Sequence, residues 1–235
     1  MGQPNKRTPS KKEKNRLPEK QSIFTNAFKP RNDKQKEFCN TITDKEVTIA
    51  IGAAGTGKTY CALATAFNLL GSKYKKIILC KSVTPVPGEA VGYLPGSVDE
   101  KMEPTMMSFT WNIDKLCGEG TSKSLIGKKL IQILPLAFIR GISIDDSIVI
   151  IDEVQNLDKH LFKTIMTRIG ENSKYIFMGD IEQIDRKNKS ESCLETVLNI
   201  FKDSPIIGTV EFMDSDCVRN PIIPEILQLL RANGI

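Results

Sequence analysis

The 235-residue chain predicts an α/β fold, a single domain with a mostly parallel sheet and helices on both of its faces. Three observations predict it. Short apolar or β-branched runs recur along the chain, segments with helical apolar spacing alternate with them, and Ser147–Ile151 is apolar almost throughout. Such a continuous run fits a strand buried on both faces, and the alternation fits parallel strands joined by crossover helices.

The elements follow in order. Val47–Ile51 is a strand that ends in a glycine-rich loop, and Thr59–Leu70 then has helical spacing. Lys76–Cys80 is a second strand. Ser97-Val-Asp-Glu100 forms a capping box, in which Ser and Glu satisfy the first free amides of a helix running towards Leu116. Lys129–Leu134 and Ser147–Ile151 are further strands. Asp158 caps a helix whose Leu161, Phe162, Ile165, Met166 and Ile169 form one stripe. Tyr175–Met178 is a buried strand, Ser190–Phe201 a helix and Ile206–Phe212 an edge strand. Asn220–Ala232 closes the chain as a helix, with Asn220 as its cap and Pro221 at its first position.

Composition narrows the class. Hydrophobic residues at 40% and charged residues at 26% are enough for one globular core. No apolar run approaches the ~20 residues that cross a bilayer, so no membrane contact is expected. Six cysteines, Cys39, Cys61, Cys80, Cys117, Cys193 and Cys217, are scattered with no CxxC pair. That spacing favours reduced thiols over disulfides or zinc, and with them a cytoplasmic location.

Charge divides the chain in two. Residues 1–22 carry seven basic groups against Glu13 and Glu19, which accounts for the whole net charge of +5, and the remainder is balanced. This stretch has three prolines and few large apolar residues, so a disordered basic tail over 1–22 and one domain over 23–235 are expected. Charge alone leaves the tail open as either a solubilising leader or an arm for nucleic-acid phosphates.

The chemistry lies in three loops, each placed after a strand. Gly52-Ala53-Ala54-Gly55-Thr56-Gly57-Lys58-Thr59 matches GxxxxGK[ST], with a strand before it and a helix after it. The glycines let backbone N–H groups turn towards phosphate oxygens, and the helix N-terminus adds its positive end. Lys58 is placed to neutralise the β and γ phosphates and the Thr59 hydroxyl to ligate magnesium; the next residue, Tyr60, completes the expected nucleotide contacts. Next, Ile148-Val-Ile-Ile-Asp152-Glu153 delivers two acids at the carboxyl end of a strand. Asp152 is the second magnesium-holding residue, and Glu153 orients the attacking water. Finally, Phe177-Met-Gly179-Asp180-Ile-Glu-Gln183 puts Asp180 and Gln183 where a γ-phosphate sensor sits.

Taken in order, this trio resembles motifs I, II and III of superfamily-one helicases. The residues between narrow the likeness. Gly88-Glu89-Ala-Val-Gly92-Tyr-Leu94-Pro95-Gly96, Pro135-Leu-Ala-Phe-Ile-Arg140-Gly141, Asp152-Glu-Val-Gln155-Asn156, Thr167-Arg168-Ile-Gly170 and Val218-Arg219-Asn-Pro221 resemble five stretches of the PhoH family. The resemblance runs from about Lys29 to Leu230. Two departures stand out: Lys81-Ser82 where the family usually has Arg-Pro, and Asn220 where it has His.

The resemblance implies a RecA-like P-loop ATPase that uses ATP and Mg2+, assembles into ring-shaped homo-oligomers, and acts on RNA or single-stranded DNA. A full superfamily-one helicase carries two RecA-like domains, so this chain is expected to complete its ATP site with a neighbour's arginine. Arg140, Arg168 and Arg219 are candidates, Arg219 first among them. Gln35, after Phe28-Lys-Pro-Arg31, resembles the adenine-reading glutamine upstream of helicase P-loops.

Other features point to less. Asn188-Lys-Ser-Glu191 has Glu where a guanine-selecting loop has Asp, and it follows charged Asp185-Arg-Lys instead of a buried strand. His160, the sole histidine, falls early in a helix and is expected at the surface. Trp111 lies among apolar residues and is expected in the core in preference to a base-stacking surface. A nucleotide-driven switch or protein-remodelling ATPase is the alternative function. A sugar or metabolite kinase is disfavoured by the Gly-Asp-x-x-Gln element.

Overall fold

The computed structural model describes residues 28–82, 98–139, 141–183, 192–219 and 222–233. Strands β1 (Val47–Gly52), β2 (Lys76–Lys81), β3 (Ile131–Ile133), β4 (Ser147–Asp152), β5 (Lys174–Gly179) and β6 (Ile207–Phe212) make one sheet. Their order is β3-β2-β4-β5-β1-β6, and each pairing is parallel.

Alternate strand residues serve two separate cores, as the pleat requires. Ala50, Leu79, Ile148, Ile150 and Met178 face α1 (Asp33–Asp44), α2 (Lys58–Leu69), α3 (Val98–Cys117) and α4 (Thr121–Gly127). Ile51, Cys80, Val149, Ile151 and Phe177 face α5 (Leu136–Ile139), α6 (Lys159–Met166) and α7 (Leu194–Phe201). A final helix, α8 (Ile222–Ala232), follows the sheet. Burying each such side chain stabilises by roughly 1.5–3 kcal/mol, so β4, buried along both faces, anchors the sheet.

All six expected strands are present, and Ile207–Phe212 is indeed at an edge. Asp158 caps α6, its Oδ1 accepting the Leu161 N–H at 2.7 Å, and His160 is exposed. The six cysteines are free, four of them buried. Three helices were not expected from the sequence. In α1 the Asn32 side chain accepts the Gln35 N–H at 2.8 Å, but only Gln35, Phe38 and Ile42 are buried, too thin a stripe to announce a helix. In α4 the cap comes from another helix, Asp114 accepting the Ser122 N–H at 2.7 Å, and α5 is four residues long. Expected strand Lys129–Leu134 is shorter because Lys129 has φ 59, and the helix expected from Ser190 begins at Leu194. Ser97, Asn188–Glu191, Asn220, Pro221, Gly88–Gly96, Arg140 and the tail lie outside the described residues.

Trp111 corrects the sequence reading: it is 64% exposed. The buried stripe of α3 is Phe109, Ile113 and Leu116, spaced i, i+4, i+7, which turns position 111 to the opposite face.

Candidate nucleotide site

Parallel register brings the three loops together. Gly52 pairs with Phe212, Lys81 with Asp152, and Ile51 with Gly179, so the carboxyl ends of β1, β2, β4 and β5 form one row. Ligands bind at that edge in open α/β sheets.

The loop after β1 is held from several sides. Gly52 has φ +130, and a Cβ there would collide with the Phe212 carbonyl oxygen, so only glycine fits. Thr56 is buried; its hydroxyl donates to the Ala53 carbonyl at 3.0 Å, and its own carbonyl accepts the Gln35 Nε2–H at 2.8 Å. Gln35 in turn accepts the Arg31 N–H at 2.8 Å, so α1 is tied to the loop. On the other side, Val218 N–H donates to the Gly55 carbonyl at 3.0 Å. The Arg219 stem and Cys217 lie directly over Gly55, which has φ +85, a backbone that favours glycine.

Lys58 opens α2 and folds back across the loop, Nζ donating to the carbonyls of Gly52 at 2.5 Å and Ala53 at 2.9 Å. Burial pulls its pKa below the ordinary lysine value, Asp180, Asp152 and Glu153 oppose that shift, and Arg219 adds to it. Thr59 Oγ1 donates to Asp152 Oδ2 at 3.1 Å. Burial, and then repulsion from Glu153, push the Asp152 carboxyl above its usual range. A hydroxyl beside a carboxylate offers hard oxygen donors of the kind Mg2+ takes together with phosphate oxygens, so the pair fits that ion.

Glu153 follows at φ 58, ψ 38, a left-handed backbone that turns its carboxylate back towards the edge. Oε1 lies 3.4 Å from Lys81 Nζ, and Oε2 accepts the Gln155 Nε2–H at 2.7 Å. Gln155 is buried and reaches further. Its Nε2 also donates to the Gln183 carbonyl at 3.1 Å, and its Oε1 accepts the Asp180 N–H at 3.1 Å. Asp180 is buried, and its Oδ2 accepts the Gln183 Nε2–H at 3.0 Å.

The structure thus gathers Gly52–Thr59, Gln35, Asp152, Glu153, Asp180, Gln183 and Arg219 at one edge of the sheet. Sequence reading missed two members, Gln155 as the link between Glu153 and Asp180 and Lys81 as the ion partner of Glu153. Lys81 could have been found, since it ends the strand beside β4. Arg219, expected to serve a neighbour, lies with its stem against Gly55 in the P-loop of its own chain. Arg168 is exposed beyond the C-terminus of α6; its carbonyl accepts the Tyr175 hydroxyl hydrogen, near the amino end of β5. It is therefore at the edge opposite the site. Tyr60 stands beside Phe28, with ring centroids 5.8 Å apart.

This sheet order, loop and pair of acids define a RecA-like P-loop fold. The large terminase of a thermophilic bacteriophage shares the fold, with a TM-score of 0.50 at 13% identity, over 85% of this chain and 50% of that one. The family model for PhoH-like protein matches residues 27–231, and the chain belongs to that family. Protein PhoH2 of Bacillus subtilis is 38% identical over 80% of this chain and 45% of its own length. The PhoH-like protein of the same organism is 34% identical over 83% of this chain and 61% of its own length. The chain thus spans about half the length of these curated relatives.

Proposed function

We propose that this chain is a Mg2+-dependent ATPase that couples ATP hydrolysis to action on RNA or single-stranded DNA, as a helicase-like motor. The observation that carries the reading is the convergence of Lys58, the Thr59–Asp152 pair and the Glu153–Gln155–Asp180 link on one edge. Lys58 places positive charge against the β and γ phosphates, and the loop amides hold their oxygens. Mg2+, held by Thr59 and Asp152, supplies further charge on those phosphates when bound. Glu153 orients the attacking water, Asp180 and Gln183 sense the γ phosphate, and Arg219 adds charge in its own chain's site. Phe28 and Tyr60 offer a wall for the adenine ring, beside Gln35, which positions the loop.

An assembly of several copies in a ring fits a single RecA-like domain. Arg168, exposed away from its own site, is the better-placed residue to reach a neighbour's γ phosphate. The second reading is a nucleotide-driven switch or protein-remodelling ATPase, favoured by the balanced charge outside residues 1–22. ATP turnover measured with and without RNA and single-stranded DNA separates the two. Stimulation supports the motor, and identical turnover with either strand present or absent supports the switch.

A further inference from the structure

We infer that the outer face of α3 is a stacking platform for the bases of a single-stranded nucleic acid, centred on Trp111 with Lys115 at its side. The inference rests on the nucleic-acid reading above and gives it a location.

Met107, Trp111 and Lys115 recur at i, i+4, i+8 and so share one line on the helix. Met107 is 63% exposed and Trp111 64%, while Phe109, Ile113 and Leu116 on the reverse face are fully buried. An indole this open presents a flat apolar surface largely uncovered by the described residues, and its placement contributes nothing to the core. Lys115 Nζ stands 4.8 Å from the centre of the Trp111 ring and 5.8 Å from that of Tyr60. Both distances fall within cation–π range, so the ammonium is held beside the indole instead of sweeping through solvent.

The surroundings suit a polyanion. Residues 107–130 carry Lys115, Lys123, Lys128 and Lys129 against Asp114 and Glu119, a net charge of +2, against −2 over the rest of the chain beyond the tail. Lys115, Lys123, Lys128 and Lys129 are exposed, whereas Asp114 is occupied in capping α4. An exposed aromatic ring flanked by cations is what sequence-tolerant single-strand binding uses: a base stacks on the ring while ammonium groups meet phosphates. A protein partner would need a broader apolar face than one indole and one methionine. Tyr60, next to the Thr59 of the P-loop, joins the platform to the nucleotide site through Lys115.

Trp111 is the only tryptophan, so the fluorescence of the full chain reports on this site alone. Short fluorescein-labelled dT and rU strands are titrated in, with anisotropy following binding and unlabelled strands used for quenching. The expected result is quenching by both strands, since stacking ignores the 2′-hydroxyl, and the ratio of their affinities tells DNA from RNA as the preferred source. Trp111→Leu should weaken binding roughly 5- to 100-fold, as removal of one base–aromatic stack implies. Trp111→Phe, which keeps a flat ring, should restore most of it. Trp111 is at the surface, so both variants should melt at the parent temperature.

Strand binding without quenching, and with Trp111→Leu binding as the parent does, overturns the platform and leaves the nucleic-acid reading standing. No strand binding to the parent overturns both. Quenching by ADP alone to the same extent places Trp111 at the nucleotide's own base and overturns the proposal. A concentration-dependent spectral shift without any strand means that a second copy covers the indole, which also overturns it.

Discussion

The Gln155 side-chain N–H donates to Glu153 Oε2 at 2.7 Å, and the same carboxamide accepts the backbone N–H of Asp180. One buried group therefore sets the acid at the end of β4 against the loop that follows β5. Glu153 occupies a left-handed backbone at φ 58, a conformation costing of the order of 1 kcal/mol, and such strain persists only where neighbours over-determine it.

Gln155→Leu keeps the volume but removes these two bonds and the one to the Gln183 carbonyl. It is expected to lower kcat about 100-fold, the scale of a misplaced reacting group, while nucleotide affinity stays near the parent value. Measuring kcat and the Kd for a fluorescent ATP analogue checks it; a parent-like kcat would show that Glu153 needs no such support.

Lys58 and Glu153 should fail differently. Lys58→Ala removes the charge that faces the phosphates and is expected to abolish nucleotide binding. Glu153→Gln keeps the shape of the site and loses the group that orients water, so ATP should remain bound without turnover. Filter binding of labelled ATP and a phosphate-release assay separate the two, and hydrolysis by Glu153→Gln at the parent rate would remove Glu153 from its proposed role.

Local pattern carried much of this fold into view. Ser147–Ile151 and Tyr175–Met178 are apolar because both faces of a parallel sheet are buried, and the glycines at 52, 55 and 57 mark a loop whose backbone takes positive φ at each of them. What stayed hidden depends on distant partners. Gln155 falls in a motif stretch, but its linking role does not show there, because its partners at Asp180 and Gln183 are 25 and 28 residues away. Arg219 meets Gly55 across more than 150 positions, through the β1–β6 pairing. Trp111 misleads for a simpler reason. Apolar neighbours alone do not fix a helix face; the spacing of Phe109, Ile113 and Leu116 does, and it turns the indole outward.

Lys174 sets an alkaline dependence of stability. It is 2% exposed at the start of β5, its Nζ donates to the Lys45 carbonyl, and burial pushes its pKa down from 10.5 to about 8, with Lys73 adding to the shift. The unfolded chain keeps the proton to higher pH than the folded one, so unfolding free energy should rise with pH from about 8 to 10.5. The cost is fully present below that window. Lys174→Met should stabilise the fold near neutral pH by on the order of 1 kcal/mol, after loss of one hydrogen bond, and should flatten the rise. Urea unfolding at neutral and alkaline pH tests this; a parent-like rise in the Met variant would assign it to another group.

Residues 1–22 should govern salt-sensitive, sequence-independent affinity for nucleic acid, since they carry the whole net charge of +5. Removing one phosphate-bound cation flattens the dependence of log affinity on log salt by ~0.7 for a single strand. Deleting the segment should weaken binding most at low salt and leave basal ATP turnover unchanged, because Lys58, Asp152 and Glu153 are retained. Identical salt slopes for full-length and truncated protein would make the segment a solubility leader.

Arg219 and Arg168 should behave oppositely when variants are mixed. The Arg219 stem lies against Gly55 of its own loop, and Arg219 adds to the lowering of the Lys58 pKa, so its charge serves the same site as Lys58. An Arg219→Ala chain mixed with a Lys58→Ala chain then leaves every site short of one cation, and no activity should return. Arg168 is exposed at the opposite edge of the sheet, so a neighbour's site is the one within its reach. Arg168→Ala mixed with Lys58→Ala should restore some turnover, because an intact loop can then face an intact arginine. An arginine that stabilises transferring phosphoryl charge is worth about 10³–10⁵ in rate, so even a minority of complementary pairs gives a readable signal. Light scattering on the mixtures establishes that the variants still assemble. Recovery with Arg219→Ala would move that residue to the neighbour's site, and no recovery with Arg168→Ala in confirmed assemblies would remove Arg168 from it.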